Sequence, residues 1–429
     1  MPQPTGISRR RFLGSALAAA AAPSFVPATA LGRSAGRLAS GERITVGFIG
    51  VGNMGSAHLG GFLGNRELQV VAVCDVDAVK RGTARHRIEE HYASERAAGS
   101  YRGCDEYNEF ERVLDRDDID AVLVAVPDHW HALVAIAACR AGKDVYCEKP
   151  LSLTIHEAGA MVEAARRYGR VFQTGSQQRS SPEFLKACEL VRNGRIGKLL
   201  TVNVGVEGPS GEKYLPEQPV REGLDWDRWL GPAPWQPYNP ERCSGDYSGG
   251  WRHIRDYSGG MMTDWGAHHF DIAQWGMGMD GHGPVEILPP DGHGRETLEY
   301  RYETGVRVLH GGANGVLFTG TAGKVEVNRG YFRSWPEEIG EEPLGPGSLR
   351  LYRSPGHVQD WVNCIRSRQR PICDVAIGCS SVTVCHLGNI AYWLGRPLRW
   401  DPVRREIVGD REASRWLDRP KRAPWRLEA

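Results

Sequence analysis

No C-x-x-C pair and no H-E-x-x-H segment occurs in the 429 residues. Without the second, a zincin-type helix is excluded, and a metal centre would need ligands gathered from distant parts of the chain. Charge of one sign is also lacking: 53 Lys and Arg face 52 Asp and Glu. That balance gives no electrostatic argument for a nucleic-acid or acidic-membrane partner, and short basic runs such as RPKRAPWR read as a solvated tail. The apolar run near the N-terminus is Ala-rich and too short and weak for a spanning helix. Ten cysteines are present. Cys74, Cys147 and Cys385 lie inside apolar runs, where a thiol behaves as a small hydrophobe, so free buried thiols are expected rather than disulfides.

What is present begins with an address. Ser8-Arg9-Arg10-Arg11-Phe12-Leu13 matches the twin-arginine export pattern, and Ala28-Thr29-Ala30 offers a cleavage site. Residues 1–30 are therefore expected to be a signal peptide, and the mature protein periplasmic or otherwise exported. That route carries folded proteins, in keeping with free thiols. The remaining length implies two domains. The expected limits are 42–180 for a nucleotide-binding domain, 181–400 for a substrate and oligomerisation domain, and 401–429 for a tail.

The first domain reads as a Rossmann fold. A β-rich run at 44–49 leads into Gly50-Val51-Gly52-Asn53-Met54-Gly55 and then a helical stretch. In that context Gly50 makes the tight turn, Gly52 lets the backbone approach a pyrophosphate, and Gly55 lets helix and strand pack closely. The helix N-terminus faces the phosphates. The next strand ends at Asp75, about 20 residues beyond the glycines, where a carboxylate accepts from ribose hydroxyls and repels a 2′-phosphate. NAD is thus expected over NADP. Strands at 120–127, 143–150 and 170–179 alternate with helices, which implies a parallel, doubly wound sheet with ligands at its carboxyl ends. Pro127, His131, Glu148, Lys149 and Gln177 fall at such ends and are expected at the cofactor.

The segment GGMMTDWGAHHFD, residues 259–271, concentrates polar groups. Asp264 and His268 share a helix face, while His269 points elsewhere. Alone, the stretch reads as a capped helix start with histidines in a polar core. Taken with PDHWH (127–131) and CEKP (147–150), the G-x-G-x-x-G run and the GG-x-x-x-D-x-x-x-H pattern resemble the Gfo/Idh/MocA oxidoreductases over roughly residues 43–400. The resemblance implies a C-terminal α+β domain with an open, mainly antiparallel sheet, through which subunits would associate. Strand-like runs at 199–208, 297–312 and 315–330 and helical runs at 357–371 and 380–395 are compatible. It also implies that Lys149, Asp264 and His268 meet around the substrate. His268 would be the base, Asp264 would orient it or bind a second hydroxyl, and Lys149 would stabilise the developing alkoxide.

Thirteen tryptophans are present, many crowded into residues 225–260. Aromatic platforms suit a sugar ring, but they also pin long loops. Trp251, Arg252, Tyr257 and His269 are the candidate substrate contacts. The expected activity is transfer of a hydride between a secondary hydroxyl of a sugar, glycoside or polyol and NAD. Export implies that the cofactor is tightly bound and recycled in place. Relatives that hydrolyse glycosides by transient oxidation carry Tyr-Pro-Thr-His near the site. Here Met262-Thr263-Asp264-Trp265 stands instead, which places that outcome second, ahead of a non-catalytic sugar- or nucleotide-binding protein.

Overall fold

The computed structural model describes residues 42–246 and 249–428; the signal read in residues 1–30 lies outside them. In the first domain β1 (Ile44–Ile49), β2 (Leu68–Cys74), β4 (Ala121–Val124) and β5 (Asp144–Cys147) are mostly apolar, nearly every residue buried. Strands of that kind suit only a sheet covered on both faces. With β3 (Asp105–Tyr107) and β6 (Phe172–Thr174) they form a sheet of order β3-β2-β1-β4-β5-β6, parallel throughout. Helices α1 (Asn53–Gly64), α2 (Ala78–His91), α3 (Asp128–Arg140) and α4 (Ile155–Arg167) supply the crossovers. The order reverses between β1 and β4, which leaves a crevice at their carboxyl ends.

After α5 (Pro182–Arg192) the second domain builds a nine-stranded sheet. Its strands are β7 (Leu199–Gly205), β8 (Glu286–Leu288), β9 (Glu299–Arg301), β10 (Arg307–His310), β11 (Gly315–Gly320), β12 (Lys324–Asn328), β13 (Tyr331–Trp335), β14 (Leu398–Asp401) and β15 (Glu406–Ile407). Only β7 and β10 pair in parallel; the other pairings are antiparallel. The alternating burial of KVEVN in β12 shows one covered and one open face. This is the α/β architecture expected from the sequence. Helix α6 (Gly266–Met277) and the buried α8 (Val375–Leu394) cover the inner face, and α8 also packs on α4. Helix α7 (His357–Ser367) returns to the first core, where Trp361 is fully buried against Phe62 and Tyr146.

The basic run near the C-terminus is not a solvated tail. Lys421 donates toward Glu157 at 3.1 Å, Arg422 Nε donates to the Gly231 carbonyl at 2.9 Å, and Trp425 packs edge-on against Trp130. Its charges have partners on both domains, which the sequence pattern does not reveal. All ten cysteines are free; nine are buried and Cys243 is half-buried.

One buried ion pair ties the end of the first domain to α6. The Arg179 guanidinium donates to Asp271 from Nε at 2.7 Å and Nη2 at 2.9 Å, and Ser381 Oγ donates to Asp271 Oδ1 at 2.6 Å. Both charged side chains are essentially inaccessible. Removing one partner strands the other charge, so Arg179→Met should cost about 3–5 kcal/mol. Urea unfolding measures this, and an unchanged midpoint would show that the pair contributes nothing net.

Candidate active site

The crevice between β1 and β4 opens into a cleft of about 1220 Å³ that is continuous with solvent. One wall is the glycine loop. Gly50 has φ +87°, and an added Cβ would lie 2.5 Å from the Ala125 carbonyl oxygen. A Cβ on Gly55 would lie 2.1 Å from the Gly50 carbonyl oxygen, so helix and strand meet there without a side chain between them. Beside Gly52 nothing lies within 4 Å. The first turn of α1 carries no acidic residue, which leaves its positive end free for an anion. Asn53 and Met54 also line this wall.

Asp75 follows β2 and faces the same cleft. Its Oδ2 accepts from the Val51 amide and its Oδ1 from the Asp77 amide, both at 2.9 Å. Burial pushes its carboxyl up, against those hydrogen bonds. The carboxylate therefore locks the glycine loop to β2 and retains lone pairs for ribose hydroxyls. An open backbone at Gly52, a free helix end and a carboxylate acceptor together fit a dinucleotide. The loop would hold its pyrophosphate and Asp75 its adenosine ribose.

The other end of the cleft gathers charge. Lys149 Nζ donates to Asp264 Oδ1 at 2.7 Å, and Arg252 Nε lies 3.5 Å from the same oxygen. Burial favours the neutral form of both partners, but each one's opposite charge outweighs it. Lys149 is held above its usual range and Asp264 below. Glu148 turns the other way, where its Oε1 meets His58 Nε2 at 2.6 Å. Burial pushes the Glu148 carboxyl up, yet His58 and Lys149 bring it down to about 2. Gly175 makes room, because a Cβ there would lie 2.7 Å from that carboxylate.

The glycines of the 259–271 segment have a local cause. Gly260 has φ +81°, and a Cβ would lie 2.2 Å from the Ser210 amide nitrogen. The chain turns there into a short helix, Met261–Asp264, that leads into α6 and points Asp264 at Lys149. His268 lies behind the cleft wall, 4% exposed, and its Nδ1 has no hydrogen-bond partner among the described residues. Burial first, then the charge of Lys149, holds its imidazole well below the usual range and so neutral. The expectation that Asp264 orients His268 is not met: the Asp264 carboxylate is committed to Lys149 and Arg252, and no hydrogen bond joins it to His268 among the described residues.

Several other expected contacts are not brought to the cleft. His131 Nδ1 faces the Pro150 carbonyl at 2.7 Å, so His131 braces the Glu-Lys-Pro turn instead of lining the cofactor site. Gln177 begins a short 3-10 turn away from the cleft wall. His269 is buried with Nε2 2.8 Å from Asn314 Oδ1. Tyr257 is fully buried, 5.0 Å from the Trp229 ring, and Trp226 stacks on Trp229 at 5.0 Å. Most aromatics of 225–260 therefore pin a loop. Trp251, with the Arg252 guanidinium 4.3 Å over its ring, does reach the cleft, as do Arg252 and Pro127.

That pinned loop crosses from the second domain over the cleft. Leu224 bridges Asp77, Asn108 Nδ2 donates to Asp225 at 2.8 Å, and Asn53 Nδ2 donates to the Gly245 carbonyl at 3.1 Å. Among the cleft residues that the sequence reading did not single out is Asp128, the first residue of α3, 1% exposed. Its position directly after Pro127 at a strand end was the available signal. Among the described residues no cluster of three or more His, Cys, Asp or Glu is arranged to hold a metal ion.

With this geometry in place, comparison with known proteins identifies the class. Residues 44–176 match the Gfo/Idh/MocA description "Oxidoreductase family, NAD-binding Rossmann fold", and residues 188–427 match "Oxidoreductase family, C-terminal alpha/beta domain". The chain belongs to the Gfo/Idh/MocA oxidoreductase family. A glycosyl hydrolase family 109 protein of Shewanella sp. (strain ANA-3) is 32% identical over 160 residues, 37% of this chain and 34% of that protein. An inositol 2-dehydrogenase of Salmonella typhimurium is 31% identical over 162 residues, 37% of this chain and 45% of that protein. The chain thus spans about a third to under half of the length of these curated relatives. Among solved structures, the aldose-aldose oxidoreductase of Caulobacter crescentus superposes with a TM-score of 0.56 at 20% identity, covering 83% of this chain and 99% of that one. At that identity the likeness is one of fold.

The glycine geometry separates two effects. Gly52→Ala should leave thermal unfolding unchanged but weaken NAD at least about tenfold, a loss of about 1.4 kcal/mol. Gly55→Ala should instead lower the unfolding temperature, because its Cβ would strike backbone. Thermal scans and fluorescence titration with NAD distinguish them; equal NAD affinity in Gly52→Ala would contradict the placement of the pyrophosphate.

Proposed function

We propose that this protein is an exported NAD-dependent oxidoreductase that moves a hydride between a secondary hydroxyl of a sugar, glycoside or polyol and a tightly held cofactor. The observation that carries the reading is the Lys149–Asp264 pair, 2.7 Å apart in the wall of the nucleotide cleft. Inositol 2-dehydrogenase and aldose-aldose oxidoreductase among the similar proteins support a polyhydroxylated substrate. Export rests on the twin-arginine pattern of residues 8–13, and with it the expectation that the translocon handles a folded, cofactor-loaded chain. Association of copies through the open face of the second sheet belongs to the same reading.

Bound NAD supplies the hydride acceptor. Lys149, kept charged by Asp264, donates a hydrogen bond to the substrate oxygen and stabilises alkoxide character as the C–H bond weakens. Asp264 serves as the counter-ion that fixes the ammonium in place, not as a partner of His268. We assign proton acceptance to His268, whose imidazole is neutral and whose Nδ1 is uncommitted; burial and the charge of Lys149 make it a weak base, so its share in the rate is what His268→Ala measures. Trp251 and Arg252 offer the sugar an apolar face and a cation. The loop across the cleft keeps the cofactor in place between half-reactions, so that one sugar is oxidised and another compound reduced.

A second reading, glycoside cleavage by oxidation, elimination and re-reduction, is favoured by one observation, the 32% identity to the Shewanella glycosyl hydrolase family 109 protein. It differs in outcome: free sugar and aglycone accumulate with no net change in cofactor.

The test is single-turnover absorbance at the reduced-nicotinamide band when NAD-loaded protein meets a panel of sugars and polyols. His268→Ala should slow cofactor reduction by about 10²–10⁴ and Lys149→Met by about 10²–10³, with NAD binding retained. Full rates in both variants would contradict the assignment, and a chelator should change nothing.

A further inference from the structure

Asp128 has no part in the chemistry above, yet it stands at the reacting end of the cleft. It opens α3 immediately after β4, and the residues around it belong to both domains. Its Oδ2 accepts from Ser258 Oγ at 2.6 Å. Its Oδ1, fully buried, has no hydrogen-bond partner among the described residues. A buried carboxyl oxygen left without a donor in a ligand cleft is costly unless a ligand meets it. The adenosine end of the cleft is marked by Asp75 and the phosphates by Gly52. A dinucleotide laid along that line therefore brings its nicotinamide half to the end where Asp128, Lys149 and Asp264 converge.

We propose that Asp128 is the residue that reads the charge of the nicotinamide: it binds the oxidised, cationic form as a carboxylate and takes up a proton when the ring is neutral. The inference rests on the NAD-dependent reading of this cleft. The charged groups facing Asp128 are Asp264 on the short helix, Lys149 after β5 and Arg252 on the loop. His129 and His131, on its own helix, are buried and held at about 4, and so are neutral near pH 7. Burial lifts the Asp128 carboxyl to about 7; Asp264 adds to the lift, while the Ser258 hydrogen bond, Arg252 and Lys149 oppose it. Its neighbour Asp264 is held ionised. Two carboxyls in one site with protonation pushed apart is the pattern that assigns one a fixed and the other a variable charge.

The sign follows by linkage. A cation beside Asp128 favours its ionised form, so NAD binding releases a proton where the free protein still holds one. NAD affinity then rises with pH up to about 7 and levels off above it, by at most about tenfold per pH unit for one proton. NADH, whose ring is neutral, shows no such rise. The alcohol loses a hydride to the ring and its one proton to His268, which passes it on to solvent; the proton that Asp128 takes up beside the neutral ring comes from solvent, so the net proton release of the reaction falls by up to one below about pH 7.

The experiment is titration of cofactor-free protein with NAD and with NADH between about pH 5.5 and pH 8.5, followed by the fluorescence of Trp229 and Trp251 in the cleft wall. Expected are a pH-dependent NAD-to-NADH affinity ratio in the native protein and a flat ratio in Asp128→Asn. In Ser258→Ala, which removes a hydrogen bond that favours the carboxylate, the midpoint should move to higher pH. Thermal scans confirm that each variant is folded. A ratio independent of pH in the native protein, or an unchanged pH dependence in Asp128→Asn, would overturn the proposal. Failure of every sugar to reduce the bound cofactor would count against the oxidoreductase reading but leave this linkage standing.

Discussion

The Lys149–Asp264 pair is the constraint on which the arrangement depends. Lys149 follows β5 of the first domain, and Asp264 sits on a short helix of the second. Both side chains are nearly inaccessible, at 9% and 5%. Two charges taken out of water are stable only if each finds its partner at close range. The pair therefore sets the distance between the domains as well as the charge at the cleft. Its surroundings are arranged to the same end. Arg252 backs Asp264, Glu148 is drawn off to His58, and His131 holds the Pro150 carbonyl, so the turn bearing Lys149 has little freedom. A lysine fixed in this way is a preorganised donor, which is what stabilising a developing alkoxide requires.

A second consequence concerns the loop over the cleft. Its tryptophans and Tyr257 form a small core of their own, and hydrogen bonds from Asn53 and Asn108 bring it down onto the first domain. Part of the cleft wall is thus second-domain residues, including Leu224, Trp229 and Trp251. Release of a bound dinucleotide would have to break contacts between domains. Slow release would suit the exported, cofactor-loaded enzyme proposed above.

How much of this was legible depends on whether a feature is local. The glycine loop was readable because its demands are backbone demands: a positive φ at Gly50, contact at Gly55 and open space at Gly52 are each imposed within a few residues. The parallel sheet was readable from the mostly apolar strands. Lys149 and Asp264 came through motif resemblance, and their meeting across the domain boundary could not have been derived from spacing. The errors share one cause. His131, His269 and Tyr257 are polar or aromatic residues beside functional ones; the partners of the two histidines, Pro150 and Asn314, lie on other segments, and Tyr257 packs on Trp229 at the far end of its own loop. Helical spacing suggested that Asp264 would serve His268; a cation from another domain took the carboxylate first. Asp128 was missed for the converse reason. A carboxylate at a helix start is ordinary; its place after Pro127 at a strand end was the one local signal, and its burial and unpartnered oxygen show only in the structure.

The central claim is that a hydride passes directly between a carbohydrate carbon and the cofactor held beside Lys149. The most direct measurement is mass spectrometry of the bound nicotinamide after a single turnover with a sugar deuterated at the carbon that is oxidised. The account predicts one deuterium on the cofactor's ring and none acquired from deuterated water when unlabelled sugar is used. A reduced cofactor without substrate deuterium, or a sugar chemically changed while the cofactor never carries the label, would contradict it.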